Sequence, residues 1–378
     1  MLIERLRLKN ILSFRDTTIK LGNLNVLIGP NGVGKSNLIE VIGLLQAAPT
    51  SLLNAIMRGG GIRQWLWLGD DLPAAASVEC NLRLKSRPDA GPLSYRLQIL
   101  GDANQGFAID EEELTGYFKR STSEASVLTQ GSGKPQTRMD VNRVESLLSQ
   151  FKNPADPTPI TALGRELTEI QIFREFRTGP GAQVRQGIST ATPKNGLQDG
   201  GDNLAMVLQD LNFQDRQEQI DSYLTRFCDR FTNAKVEIAD GLARIYLSET
   251  GLKGRIASSR MSDGTLKFLA LLAALFNPKM PPLMCIEEPE LGLHPDALQL
   301  VAEILVEASK STQLIVTTHS EALVDALTDH PEVVLVCERD FDNGTQMKRL
   351  SSTKLRRWLE RYSLGELWRK GEVGGGRW

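Results

Sequence analysis

Hydrophobic residues recur along this chain with two different periods, and the switches between them outline the fold. "MLIERLRLKNI" (1–11) alternates apolar with charged positions, "TTIKLG" (17–22) follows, and "LNVLI" (24–28) is a continuous apolar run. Residues 1–28 therefore read as strands. From Ser36 to about Ala48 the spacing becomes helical. "SVECNLRLKS" (77–86) and "LSYRLQILG" (93–101) alternate again around the turn "RPDAGP", which predicts a meander. From about 105 the chain turns polar, with short helical patterns in "RVESLLSQF" and "LGRELTEIQIF" and a long glycine-rich loop over 174–203. "NLAMVLQDL" and "QEQIDSYLTRF" resume helical spacing, and "KVEIADGLARIYLSE" predicts a hairpin turning at Asp240-Gly241. "PLMCIEE" (282–288) and "QLIVTTHS" (313–320) then read as buried strands. The pattern divides the chain into an N-terminal part of a core (1–104), an inserted, mainly helical lobe (105–235), a C-terminal part of the core (236–340) and a tail (341–378).

Chemistry enters between the first apolar run and the first helix. Gly29-Pro30-Asn31-Gly32-Val33-Gly34-Lys35-Ser36 fits the phosphate-loop pattern, a glycine, four residues, then Gly-Lys-Ser/Thr. Its glycines let backbone N–H groups approach phosphate oxygens, and the helix that follows adds its positive end. Lys35 would reach the β- and γ-phosphates of a nucleotide, and Ser36 would ligate Mg²⁺.

Three later stretches extend this site. Leu283 to Ile286 are apolar and precede Glu287 and Glu288, so a buried strand delivers two carboxylates at its C-terminal end, where open α/β sheets bind ligands. Glu287 would support the Mg²⁺ shell and Glu288 would polarise a water aimed at the γ-phosphate. "QLIVTTHS" ends in His319, one of three histidines, placed to bond the γ-phosphate with help from Thr317 and Thr318. "SRMSDGTLKFLALLAAL" starts an apolar helix capped by Ser262 or Asp263, and that start offers N–H groups and a hydroxyl to an anion.

The set "GPNGVGKSN", "SDGT", "CIEEPELGLHP" and "VTTHS" resembles the RecF/SMC-like branch of ATP-binding-cassette ATPases, in particular its compact prokaryotic AAA15/AAA21-type members. The tail "YSLGELWRKGEVGGGRW" is similar to that of one small-ATPase subfamily. The resemblance implies an α/β P-loop NTPase of ABC/SMC-head type, a mixed sheet with an N-terminal antiparallel β subdomain and an inserted helical lobe. It makes Gly29 to Ser36, with Asn37, the Walker A motif that binds ATP. Glu287 and Glu288 become Walker B, with Glu287 standing where aspartate is commoner and Glu288 catalytic, and His319 becomes the switch histidine. Ser262, Asp263 and Gly264 are then the signature that meets the γ-phosphate of a second subunit, and Glu290 to Pro295 lie at the dimer seam. Arg15 matches basic residues that approach the nucleotide in relatives. Gln98 and Gln171 are equal alternatives for the Q-loop glutamine.

Bulk composition changes this picture little. The 378 residues carry 44 basic and 46 acidic side chains, net charge −2, so global charge does not mark a nucleic-acid binder. Four scattered cysteines have no metal or disulfide spacing, and no apolar run reaches the ~18 residues of a membrane span. The expectation is a cytoplasmic ATPase (ATP + H2O to ADP + phosphate) that needs ATP and Mg²⁺. It would work as an ATP-dependent homodimer or higher oligomer, off the membrane, on DNA or on a separately encoded effector such as a nuclease or toxin, in phage defence. No sustained heptads mark a coiled coil. The alternative is the nucleotide-binding subunit of a membrane ABC transporter, against which "MSDGT" stands where "LSGGQ" is typical. A small-molecule kinase would leave the signature and His319 without a role.

Overall fold

The computed structural model describes residues 2–69, 73–88, 91–101, 106–116, 125–131, 142–152 and 159–375. Its N-terminal alternation forms β1 (Ile3–Ile11) and β2 (Phe14–Lys20), antiparallel with Leu6 opposite Ile19. β3 (Leu24–Ile28) leads through the glycine loop into α1 (Lys35–Ala47), followed by α2 (Leu52–Arg58) and α3 (Ile62–Trp65). The meander is β4 (Ala75–Leu82), β5 (Leu93–Gly101), β6 (Phe107–Gly116) and β7 (Ala125–Gly131), each antiparallel to the one before. Next come α4 (Leu147–Gln150), α5 (Ile160–Thr168), β8 (Gln171–Phe173) and β9 (Ile188–Ser189). After them α6 (Leu204–Phe213) and α7 (Gln217–Phe227) precede the hairpin β10 (Phe231–Ala239) and β11 (Leu242–Glu249), and β12 (Ile256–Ala257). The last third is α8 (Asp263–Leu275), β13 (Leu283–Glu287), α9 (Leu298–Ala308), β14 (Gln313–Thr317), α10 (Glu321–Asp325), β15 (Val334–Asp340), β16 (Gly344–Arg349), α11 (Ser352–Leu359) and α12 (Leu364–Arg369).

Twelve strands form one mixed sheet in the order β7-β6-β5-β4-β1-β2-β16-β15-β3-β14-β13-β8. The run β15-β3-β14-β13-β8 is parallel and the remainder antiparallel. A second sheet joins β9, β10, β11 and β12. Side chains alternate across the parallel strands, so Val26, Ile28, Ile286 and Val316 pack with α8 and α9, while Leu27, Cys285 and Ile315 pack with α1 on the other face. Burial on both faces is why these strands read as continuous apolar runs.

Two readings of the sequence need adjusting. Residues 105–235 supply β6, β7 and β8 to the large sheet as well as four helices, so this stretch is woven into the core rather than set apart from it. The strand character of β6 was hidden because a register shift opposite Gln98/Ile99 breaks its alternation and Glu112 takes an inward position. That carboxylate is nearly fully buried and accepts bonds from the Tyr95 hydroxyl (2.8 Å), the Ser146 hydroxyl (2.6 Å) and the Leu147 N–H (2.8 Å). The helical pattern 163–173 ends at Thr168, and Gln171–Phe173 instead pairs with β13, whose open edge rewards backbone pairing more than local periodicity does. Parts of the 87–92 turn, most of the polar stretch 117–141 and residues 376–378 lie outside the described residues.

Gln313, fully buried, joins the two halves of the sheet. Its Oε1 accepts from the N–H groups of Leu2 (3.1 Å) and Ile3 (2.9 Å), and its Nε2 donates to the carbonyls of Ile3 (2.7 Å) and Gly22 (2.9 Å). Gln313→Leu strands those buried backbone groups without partners and should cost about 2–4 kcal/mol. Chemical denaturation should show the loss as a lower midpoint.

Candidate nucleotide-binding and hydrolytic site

The parallel register places the site. Leu27 lies opposite Thr317, and Thr317 opposite Glu287, so the glycine loop, the His319 loop and the two glutamates all leave the sheet from one row. Gly34 precedes α1 with φ 100°, a left-handed conformation, and a β-carbon there would collide with the hydroxyls of Ser13 and Thr345. Thr345 in turn bonds the Val33 carbonyl (2.6 Å), so β16 braces the loop from behind. No side chain caps α1, and its first turn holds no acid, which leaves its N–H groups directed at an anion. The Lys35 ammonium is buried and donates to the carbonyls of Gly29 (2.7 Å) and Pro30 (2.9 Å). Burial lowers its pKa, opposed by the nearby Cys337, Glu288 and Glu290.

Opposite the loop, Ser36 donates its hydroxyl to Glu287 Oε2 at 3.0 Å. A hydroxyl and one carboxylate suit Mg²⁺, which keeps several waters and takes its remaining ligands from substrate phosphates. Among the described residues no group of three or more His, Cys, Asp or Glu forms an all-protein metal site. Glu288 is one of the few non-glycine residues at positive φ (46°), a strained conformation held by its N–H bond to the Thr317 carbonyl (3.0 Å). Its Oε1 lies 3.7 Å from His319 Nε2.

Glu290 holds the histidine loop. Its Oε1 accepts from the Thr318 hydroxyl (2.6 Å) and the His319 N–H (2.9 Å), and burial pushes its carboxyl pKa up. Its Oε2 is buried without a partner, the one such side-chain atom among the described residues.

The signature residues stand elsewhere. Ser262 caps α8 by accepting the Thr265 N–H (3.1 Å), and Asp263 pairs with Arg185, whose guanidinium also donates to the carbonyls of Met261 (2.8 Å) and Thr178 (2.6 Å). Gly264 packs so closely on the Gly292 carbonyl that a β-carbon would sit 2.8 Å from it. None of the three bonds to residues 29–37.

The sequence missed several partners here. Arg174, directly after β8, bonds Glu287 Oε1 (2.9 Å) and Glu40 Oε1 (2.9 Å), while Arg177 pairs with Asp202. Arg174, Arg177 and Arg185 thus each hold an ion pair within the chain, with the Arg174 and Arg177 side chains still about half exposed or more. Of the two Q-loop alternatives, Gln98 bonds Asp110 on the meander, far along the sheet, and Gln171 opens β8 beside Walker B. Past Asn37, a cleft of about 910 Å³ is lined by Arg15, Trp67, Arg339 and Phe341, with Arg15 donating to the Asp342 carbonyl (2.8 Å). Phe341 is 90% exposed.

A family model described as "AAA domain, putative AbiEii toxin, Type IV TA system" matches residues 139–325, and one described as "AAA domain" matches 5–48. The chain is 40% identical over 89 residues to the zinc import ATP-binding protein ZnuC of Vibrio cholerae, covering 22% of this chain and 32% of that protein. It is 54% identical over 43 residues to the DNA double-strand break repair Rad50 ATPase of Sulfolobus acidocaldarius, 11% of this chain and 5% of that one. The chain thus spans a third or less of these curated relatives. Solved structures share the fold over nearly the whole chain. An Smc head bound to the C-winged helix domain of ScpA has TM-score 0.60 at 16% identity, covering 93% of this chain and 99% of that one. An Smc head with an extended coiled coil, bound to the C-terminal domain of ScpA from Pyrococcus furiosus, has TM-score 0.58 at 16% identity, covering 95% and 98%.

Proposed function

Taking the chain as a compact ATPase of the ABC/SMC-like class, we propose that it is an ATP-driven dimeric switch, in which two copies close over two ATP molecules and hydrolysis reopens them. One observation carries this reading. Lys35, Ser36, Glu287, Glu288 and His319 gather at one sheet end, whereas exposed Ser262 and Asp263 begin a helix with no bond to that loop. A twofold-related copy supplies the missing donors, because an isologous interface lays each copy's signature against the other's phosphate loop. Leu291, half-exposed beside the signature helix through the Lys267 bond to its carbonyl (3.0 Å), would lie in the same seam.

Within each site the loop N–H groups and Lys35 hold the triphosphate, Lys35 exchanging carbonyl partners for phosphate oxygens. Ser36 and Glu287 would hold Mg²⁺, which would supply neutralisation of the phosphate charge when bound. Glu288 takes the proton of the attacking water as its oxygen bonds to the γ-phosphorus and the β–γ bridge breaks. His319, kept in place by Glu290, donates to a γ-phosphate oxygen. The nucleoside leaves the loop past Asn37 into the 910 Å³ cleft, where its base stacks on Phe341 and Arg15 and Arg339 face the ribose and α-phosphate.

We assign the switch to the cytoplasm, acting on DNA or on a separately encoded nuclease- or toxin-type effector in phage defence. The family model's mention of a toxin–antitoxin system favours the effector, and the identity to a DNA double-strand break repair ATPase favours DNA. A second reading, the ATP-binding subunit of an importer, draws on the identity to ZnuC. Stable co-purification with a membrane permease would favour it over the first.

Two experiments test the switch. A Lys35→Ala protein and a Ser262→Arg protein should each be inactive, and mixing them should restore up to about a quarter of wild-type phosphate release, since half of the dimers are mixed and each has one intact site. Glu288→Gln should bind ATP, lose about 10²-fold or more in turnover, and dimerise with ATP and Mg²⁺ in sedimentation. A mixture that stays dead together with Glu288→Gln protein whose assembly ignores ATP would end the clamp reading. For the base, Phe341→Ala should weaken ATP binding roughly fivefold or more and leave inorganic tripolyphosphate affinity unchanged by calorimetry.

A further inference from the structure

Each carboxylate oxygen of Glu287 already has a partner within the chain. One carboxylate oxygen accepts the Ser36 hydroxyl and the other accepts Arg174 Nη1, while Arg174 Nη2 reaches Glu40 on α1. This contact follows from the topology. Phe173 sits opposite Ile286 in the parallel β8–β13 pair, so the next residue on each strand, Arg174 and Glu287, emerge side by side. A divalent ion bound between Ser36 and Glu287 would place a double positive charge beside a guanidinium already occupying one face of the same carboxylate. Those two cations repel across one carboxylate, so each weakens the other's hold on Glu287.

The chain offers the arginine somewhere to go. Behind Arg174 opens a cleft of about 820 Å³ whose walls include Arg58, Trp65, Glu175, Arg177 and Asp199. Asp199 is partly buried, its carboxyl raised by burial and drawn back down by the charges of Arg174 and Arg177, so it already lies within electrostatic reach of the arginine. Arg174 therefore stands at the rim of the cleft, with Glu287 on the side of the phosphate loop and Glu40, Glu175 and Asp199 among the cleft walls.

We propose that Arg174 is a charge placeholder: it neutralises Glu287 while the metal site is empty, and moves to the Asp199 side of the cleft when Mg²⁺ and a triphosphate enter. The occupied and empty states then differ in the charge presented on the cleft wall. The proposal rests on Ser36 and Glu287 being the metal-binding pair. It differs from a plain bracing role in the sign of one measurable effect. A brace orients Glu287 for the metal, so its removal weakens the metal. A placeholder competes with the metal, so its removal strengthens it.

The test measures binding of a fluorescent ATP analogue to the full chain across a Mg²⁺ titration and in EDTA. In Arg174→Gln the Mg²⁺ concentration for half-maximal binding should fall about two- to fivefold, as expected for loss of a partly exposed competing ion pair. Binding in EDTA should weaken, because a bare Glu287 then faces the phosphates. Arg174→Lys should keep the metal-free affinity close to that of the wild type. Asp199→Asn, which leaves the nucleotide site intact, should raise the Mg²⁺ requirement, and it decides the matter if Arg174→Gln fails to fold. A Mg²⁺ requirement that is unchanged or higher in Arg174→Gln, or unchanged or lower in Asp199→Asn, overturns the proposal while leaving the ATPase reading standing. Wild-type protein that binds no analogue under either condition would remove both.

Discussion

The hydrogen-bond register of β3, β14 and β13 is the constraint on which everything else here depends. In a parallel ladder the carboxyl ends of neighbouring strands finish level, so three segments far apart in sequence deliver a lysine loop, a histidine and two glutamates to one row. A slip of one residue in β13 would exchange the faces of Glu287 and Ile286 and turn the Glu287 carboxylate away from Ser36. The register is protected by the burial of both faces, since Ile286 and Cys285 belong to different hydrophobic layers and neither tolerates the other's place.

That register also explains the electrostatic character of the site. Lys35 and Glu290 are largely buried beside one another, and burial lowers the Lys35 pKa while Cys337, Glu288 and Glu290 oppose that shift. Strain is concentrated at Glu288, whose left-handed backbone lies between the buried strand and the loop that Glu290 ties to His319. The Glu288 carboxylate is thereby set by backbone geometry more than by side-chain bonds. The signature end stays exposed, capped only by its own first turn and by Arg185.

Much of this was legible in the chain itself. The phosphate loop, the β13 carboxylates, the Asp240-Gly241 hairpin turn and the Ser262 cap rest on local chemistry, and each appears where the spacing placed it. What could not be read depends on tertiary pairing. Three residues, Gln171 to Phe173, carry too little pattern to be recognised as a strand, yet their edge position decides what Arg174 touches. Glu112 disguised β6 because a buried carboxylate looks like a surface residue until Tyr95 and Ser146 are found around it. Phe341 sits in a polar turn, where only its neighbours in space give it meaning.

The strand order also sets a timetable for synthesis. β3, which carries the phosphate loop, is flanked by β14 and β15, so it has no partner in the sheet until the chain has been made through Thr317, and its second partner follows only at Val334–Asp340. The β1–β2 hairpin and the β4–β7 meander pair with near neighbours in sequence and can form as they emerge, whereas the central parallel strands must wait for contacts across some three hundred residues. A growing chain on the ribosome would thus carry an apolar, unpaired β3 and an unformed loop until β14 emerges, about 285 residues after β3. Nucleotide binding waits for that late pairing, and until then the loop segment is inert.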